Sequence, residues 1–276
     1  AKTDDYKRFA DLMKKYDFDW EPVKVTTDDG YILTTFHVTG NKDGPFTPTL
    51  PPVLIQHGDN SDGAAWLSYY DEGVPMHLQL AEAGYDVWIG NNRGTEWAQE
   101  HVSLTVDQPE FWQWSWAEMG IYDDVANIKT IKEQTGADKV FFIGWSQGNI
   151  QMFYALAHLE EEFLADSVHK VITMAPCTVN PPWIQESYYA KGLYKLPSIG
   201  VWDEYGPNWS EEYKKVCDLS WQACEQESCE NCQPMSIQSS LHWQQNTYTG
   251  RFQEFAPKYL EGERETPLVD IAGIDK

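Results

Sequence analysis

The chain has 276 residues, enough to bury a sizeable core, and one α/β domain with an insertion fits that length better than two equal domains. Hydrophobic residues make up 42% and aromatics 14%, which is a globular rather than a disordered composition. A formal charge of −23 repels nucleic-acid phosphates and argues against polybasic membrane anchoring, and no apolar run reaches the roughly 18 residues that a membrane-spanning helix needs.

In chain order, residues 1 to 20 read as a helix with apolar positions at Tyr6, Phe9, Leu12 and Met13. Val23 to Thr27 and Tyr31 to Val38 form a hairpin pattern around Asp28-Asp29-Gly30. A Gly/Pro/Thr-rich loop, residues 40 to 51, leads into a short buried strand from Pro52 to Gln56, which ends at His57-Gly58. Pro75 to Ala83 is a helix stopped by Gly84, and Tyr85 to Gly90 is the next strand. A helix from Trp116 to Thr135, a strand over 139–143, a helix-like stretch from Asn149 to Leu159 and a strand from Val168 to Met174 follow. Strands alternating with helices predict a mostly parallel sheet covered on both faces. After Pro176 the periodicity fades into a stretch rich in Trp, Tyr, Pro, Gln and Cys. The expected organisation is a core over 1–177, an inserted cap over 178–265, and a return to the core over 266–276.

Residues 1–5 lack a basic start and an apolar core, so the chain begins without a signal peptide, being either cytosolic or already processed. The cysteines favour processing. Cys217, Cys224, Cys229 and Cys232 fall within sixteen residues, and Asn208-Trp209-Ser210 nearby is a glycosylation acceptor. One or two local disulfides are expected; a zinc site is the alternative, although only Cys229-x-x-Cys232 has finger-like spacing. Cys177 reads as a small buried hydrophobe.

The segment Gly144-Trp145-Ser146-Gln147-Gly148, between a strand and a helix, resembles the nucleophile elbow of the α/β-hydrolase fold. Ser146 is the candidate nucleophile, with Gly144 and Gly148 giving the crowded turn room. A serine hydroxyl needs oxyanion donors, and the expected ones are the main-chain N–H groups of Gln147 and of Asp59, after His57-Gly58. An ionised Asp59 carboxylate turned inward would oppose the developing charge, so the site is expected to work best at acidic pH. The base is the difficulty. Only His158, His169 and His242 follow Ser146, each reads as a structural histidine, and no carboxylate occupies residues 175–180. Arg93 reads as a brace paired with a carboxylate, and Phe111, Trp112, Trp114 and Trp116 as core packing.

Thr27 to Leu33, Pro52 to Gly58, Gly84 to Gly94, Phe111 to Asp123, the elbow, and His242-Trp243-Gln244 ahead of Gly250 to Gln253 together resemble the acid lipase family of α/β-hydrolases, which includes gastric and lysosomal acid lipases. The resemblance implies a serine ester hydrolase acting on neutral lipid esters, triacylglycerol or cholesteryl ester, at a lipid–water interface. It implies a secreted or lysosomal setting, no cofactor and no metal, a lid-bearing cap, Ser146 as nucleophile, and Gln147 and Asp59 as oxyanion donors. The family usually has His at the position of Trp145 and an apolar residue at that of Asp59. Thr266 to Lys276 resembles the segment before the family's seventh strand, so the catalytic Asp and His are expected beyond Lys276, in the same or a separate chain. A non-catalytic lipid-binding or assembly protein is the competing expectation.

Overall fold

The computed structural model describes residues 6–68, 73–159, 161–179, 233–258 and 261–272. Helix α1 (Lys7–Lys15) buries Phe9 and Met13, one turn apart on one face. It is shorter than the sequence pattern suggests because Asp17 takes a φ of 59° and redirects the chain into β1 (Phe18–Thr26). Trp20 therefore belongs to the sheet, packing edge-on against Phe9 and Phe36. The tight turn at Gly30 (φ 100°) connects β1 to antiparallel β2 (Tyr31–Asn41), which also pairs with the two-residue strand β3 (Gly44–Pro45).

Strand β4 (Pro52–Gln56) is buried along its whole length. Short helices α2 (Ala65–Ser68) and α3 (Met76–Glu82) lead to β5 (Asp86–Ile89), and β6 (Glu100–His101) adds to β2. A capping box between Ser115 and Glu118 starts α4 (Trp116–Glu118). The expected single helix over 116–135 is interrupted by a π-turn over Met119–Asp124 before α5 (Val125–Thr135). Gly120 lies there directly against the backbone of Gln151, an approach that a wider side chain would block. Strand β7 (Val140–Trp145), helix α6 (Gln147–His158), helix α7 (Glu161–Ser167) and β8 (Val168–Met174) complete the alternation.

The sheet order is β1-β2-β5-β4-β7-β8, antiparallel at β1 and β2 and parallel from β5 onward. Every parallel strand therefore ends on the same edge, where α/β folds gather their ligands. β8 is the outer strand among the described residues, and His169, Lys170, Ile172 and Thr173 on it are exposed.

Phe111, Trp112, Trp114 and Trp116 are fully buried, as expected of large aromatic rings packed on the core. They share one apolar cluster with Met235, Leu241, Phe252, Ala256 and Val269. Part of the expected cap, helix α8 (Ile237–Thr249), thus packs directly onto the core. Cys217, Cys224, Cys229, Cys232 and Asn208 lie outside the described residues, together with the disulfide, zinc and glycosylation expectations attached to them.

Candidate active site

Ser146 sits at the junction of β7 and α6 with φ 50° and ψ −115°, a conformation costing an L-residue about 1–3 kcal/mol unless its surroundings impose it. The surroundings do impose it. The Ser146 N–H donates to the carbonyl of Met174 at the end of β8 (3.0 Å), and the Asn149 side chain donates to the carbonyls of both Ser146 (3.0 Å) and Met174 (2.9 Å). Close approach does the rest: a Cβ on Gly148 would stand 2.7 Å from the Gln56 carbonyl oxygen, and one on Gly144 would stand 2.9 Å from the Asn149 nitrogen. Gly144 and Gly148 therefore lie where the sequence puts the elbow glycines.

The loop after β4 is pressed against this turn. A Cβ on Gly58 would lie 3.1 Å from the Ser146 Cβ, so Asp59, the next residue, is carried to the edge of the serine. His57 holds the loop in place. Its Nε2 accepts from the Asn92 N–H (3.0 Å), which leaves Nδ1 to donate to the Gly58 carbonyl (2.8 Å). Burial pushes the His57 pKa down, in keeping with a neutral brace. Burial raises the Asp59 pKa to about 6, against the pull of the Asn60 N–H on its carboxylate.

Cys177, expected as a small core filler, is instead only partly buried, and its thiol lies beside the Ser146 side chain. Burial and the neighbouring Asp59 push the thiol pKa up, partly offset by the adjacent Ser146 hydroxyl. Its sequence signal was position alone: three residues past β8, it must emerge on the same sheet edge as the elbow. Among the described residues no histidine nitrogen is hydrogen-bonded to Ser146. His158 pairs with Glu254 at 2.5 Å, and His242 lies between Ser115 Oγ (3.0 Å) and the Gln253 carbonyl (2.8 Å). His169 stacks on Phe141. Gln147, at the start of α6, is buried, and its side-chain oxygen accepts from the indole N–H of Trp243 at 2.7 Å. That contact comes from the far end of the sequence and carried no local signal.

Arg93 meets the sequence expectation of a brace. Its Nε donates to Asp123 (2.8 Å) and its two terminal nitrogens to Asp29 (2.6 and 2.9 Å), with the guanidinium 3.9 Å over the Tyr31 ring. Burial alone would lower its pKa, but Asp123 and Asp29 outweigh burial and raise it. Among the described residues no three His, Cys, Asp or Glu side chains converge as a metal site would require.

A strained serine between a parallel strand and a helix, faced by the loop after a neighbouring strand, defines an α/β-hydrolase, and the family model for the alpha/beta hydrolase fold matches residues 51–195. The chain belongs to that family. A second model, for a partial alpha/beta-hydrolase lipase region, matches residues 9–70. Curated relatives include the lysosomal acid lipase/cholesteryl ester hydrolase of Macaca fascicularis, 34% identical over 71% of this chain and 48% of that protein. Lipase member M of Mus musculus is 34% identical over 64% of this chain and 41% of its own length. Bovine (Bos taurus) gastric triacylglycerol lipase is 29% identical over 89% and 68%. The chain thus spans less than half the length of the first two. Among solved structures, an esterase of Pyrococcus furiosus aligns over 67% of this chain and 60% of its own at 18% identity and a TM-score of 0.43.

Proposed function

We propose that this chain carries the nucleophile half of a serine ester hydrolase acting on neutral lipid esters, triacylglycerol or cholesteryl ester, in a secreted or lysosomal setting. The observation that supports it most is the positive φ of Ser146 (50°), held by Met174, Asn149 and the three abutting glycines. A strained serine kept at a strand end has a use in chemistry and none in packing.

In this reading the Ser146 oxygen attacks the ester carbonyl, and the main-chain N–H groups of Gln147 and Asp59 receive the oxyanion. The alcohol then leaves, and water releases the fatty acid from the acyl-enzyme. A histidine oriented by an aspartate takes the serine proton, and we place both in polypeptide beyond Lys276. Two observations support that placement. The described histidine rings that follow Ser146 are engaged away from it, and the matched stretch covers only 48% of a lysosomal acid lipase relative, which leaves polypeptide to hold both. The raised pKa of Asp59 supports an acidic setting, because below about pH 6 the group is mostly neutral and leaves the oxyanion unopposed.

Labelling of the full-length protein with a fluorophosphonate, followed by peptide mass mapping, tests the reading. Adduct on Ser146, together with fatty-acid release from triolein or cholesteryl oleate emulsions, is the expected result. No adduct on folded protein would leave the non-catalytic, lipid-binding alternative in its place.

A further inference from the structure

Beyond the serine and its donors, one side chain from helix α8 reaches the catalytic turn. Trp243 donates its indole N–H to Oε1 of Gln147 at 2.7 Å, and on the other side of the same amide Nε2 faces the Met119 sulfur at 3.6 Å. The Gln147 side chain is buried, so neither end of its amide exchanges freely with water. Gln147 is also the first residue of α6, where a main-chain N–H has no helical carbonyl to point at. Its direction is fixed by the strained residue before it and by whatever holds its own side chain.

From this arrangement we propose that Trp243 is a positioning residue for the oxyanion donor, acting on the Gln147 N–H through the Gln147 side chain. The inference rests on the hydrolase reading and adds to it a residue almost one hundred positions away in sequence. The helix that presents the indole is anchored independently. His242, its neighbour, stacks on Trp116 (centroids 3.9 Å apart) and is bonded to Ser115 and to the Gln253 carbonyl. The Trp116 ring in turn stacks on Phe252 at 5.3 Å. Trp243 therefore reaches Gln147 from a fixed base, which is what positioning requires. A tryptophan that only satisfied its own N–H would be indifferent to which acceptor it met; this one meets the side chain of the residue whose main chain does the work.

The test compares wild type with Trp243→Phe, which keeps the ring and removes the donor, in the full-length protein. Removing an oxyanion donor outright costs about 10²–10³ in kcat, so loosening one should cost about tenfold, with KM within about twofold. An alkyl boronic acid, which mimics the tetrahedral intermediate, should lose about tenfold in affinity, while a non-reactive long-chain alcohol should bind unchanged. Trp243→His, which keeps a ring N–H, should recover part of the loss. Gln147→Met removes the acceptor instead; it should show the same fall in kcat and make Trp243→Phe silent in its background, so the inference stays testable should the tryptophan variant misfold. Equal kcat and boronate affinity in wild type and Trp243→Phe would overturn the inference alone. An inactive, unlabelled wild type would bring down the hydrolase reading and this inference with it.

Discussion

Two buried polar clusters sit near the same edge of the sheet, and they are built on opposite principles. Around Arg93, after β5, the guanidinium nitrogens that bond do so to Asp29 and Asp123, and Asp123 also accepts from the Arg93 main chain at 2.9 Å. Around Ser146, after β7, the hydroxyl meets a thiol, the nearby Asp59 carboxyl bonds, among the described residues, the adjacent Asn60 N–H at 3.1 Å and nothing else, and the backbone is strained. Burial without full pairing is costly to stability. The first cluster minimises that cost; the second tolerates it, and the tolerance marks where chemistry is held ready.

The difference can be pushed hardest at the serine. Ser146→Ala should abolish labelling and lower ester hydrolysis by about 10⁴-fold or more, as removal of a triad nucleophile does. Stability should change by less than about 0.5 kcal/mol, because among the described residues the hydroxyl faces a half-buried thiol and makes no hydrogen bond that holds the fold. Ser146→Gly should go further and raise stability by about 1 kcal/mol, since glycine tolerates the positive φ. Matched urea melts and fluorophosphonate gels read both quantities; a serine variant that loses stability and activity in step would erase the contrast.

Arg93→Leu should do the reverse. It strands Asp123, which is fully buried, and Asp29 without their cation, so a loss of about 3–5 kcal/mol is expected as a lower urea midpoint at unchanged slope. Adding Asp123→Leu to Arg93→Leu should return part of it, because a buried charge without a partner is worse than none. If the double variant is no better than the single, pairing is not what makes this cluster stable.

Sequence and structure agree where local chemistry decides and part where distant segments meet. The elbow, its glycines and the strand 139–143 were legible because spacing and neighbours specify them, and the buried tryptophans at 112, 114 and 116 because indoles bury large area. The length of α1 was not, since Asp17 ends it through a backbone reversal that aspartate tolerates but does not announce. The π-turn at Met119–Asp124 was not, because it answers to Gln151 on another helix. Cys177 and Trp243 escaped for the same reason: each earns its place from a partner that only the folded chain brings near.

Asp59 sharpens the contrast through pH. Its folded pKa of about 6 lies above the unfolded 3.8, so between those values the native state holds a proton that the unfolded state has released. Stability therefore falls as pH rises through that window, by up to about 3 kcal/mol, and stays lower above it. Activity should fall over the same limb, from about pH 5 to 7, as the carboxylate comes to oppose the oxyanion. Asp59→Asn should remove this term from both profiles. A kcat/KM profile that keeps its alkaline fall in the Asn variant would assign the acidic preference to another group.

The smallest effect closes the comparison from the surface side. Arg251 and Glu265 make an ion pair of 2.7 Å, as short as the Arg93–Asp123 contact, but their side chains are 52% and 75% exposed against 1% and 0%. Distance is matched, so solvent is the variable. Water screens the outer pair and competes for both partners, and holding two long side chains in one geometry costs entropy. Arg251→Ala should therefore change stability by less than about 1 kcal/mol, and 1 M salt should shrink that further, while the Arg93→Leu penalty persists in salt. Thermal melts of both variants at low and high ionic strength separate the outcomes. An Arg251 effect equal to that of Arg93 would mean that charge count alone, and not burial with complete pairing, stabilises this acidic chain.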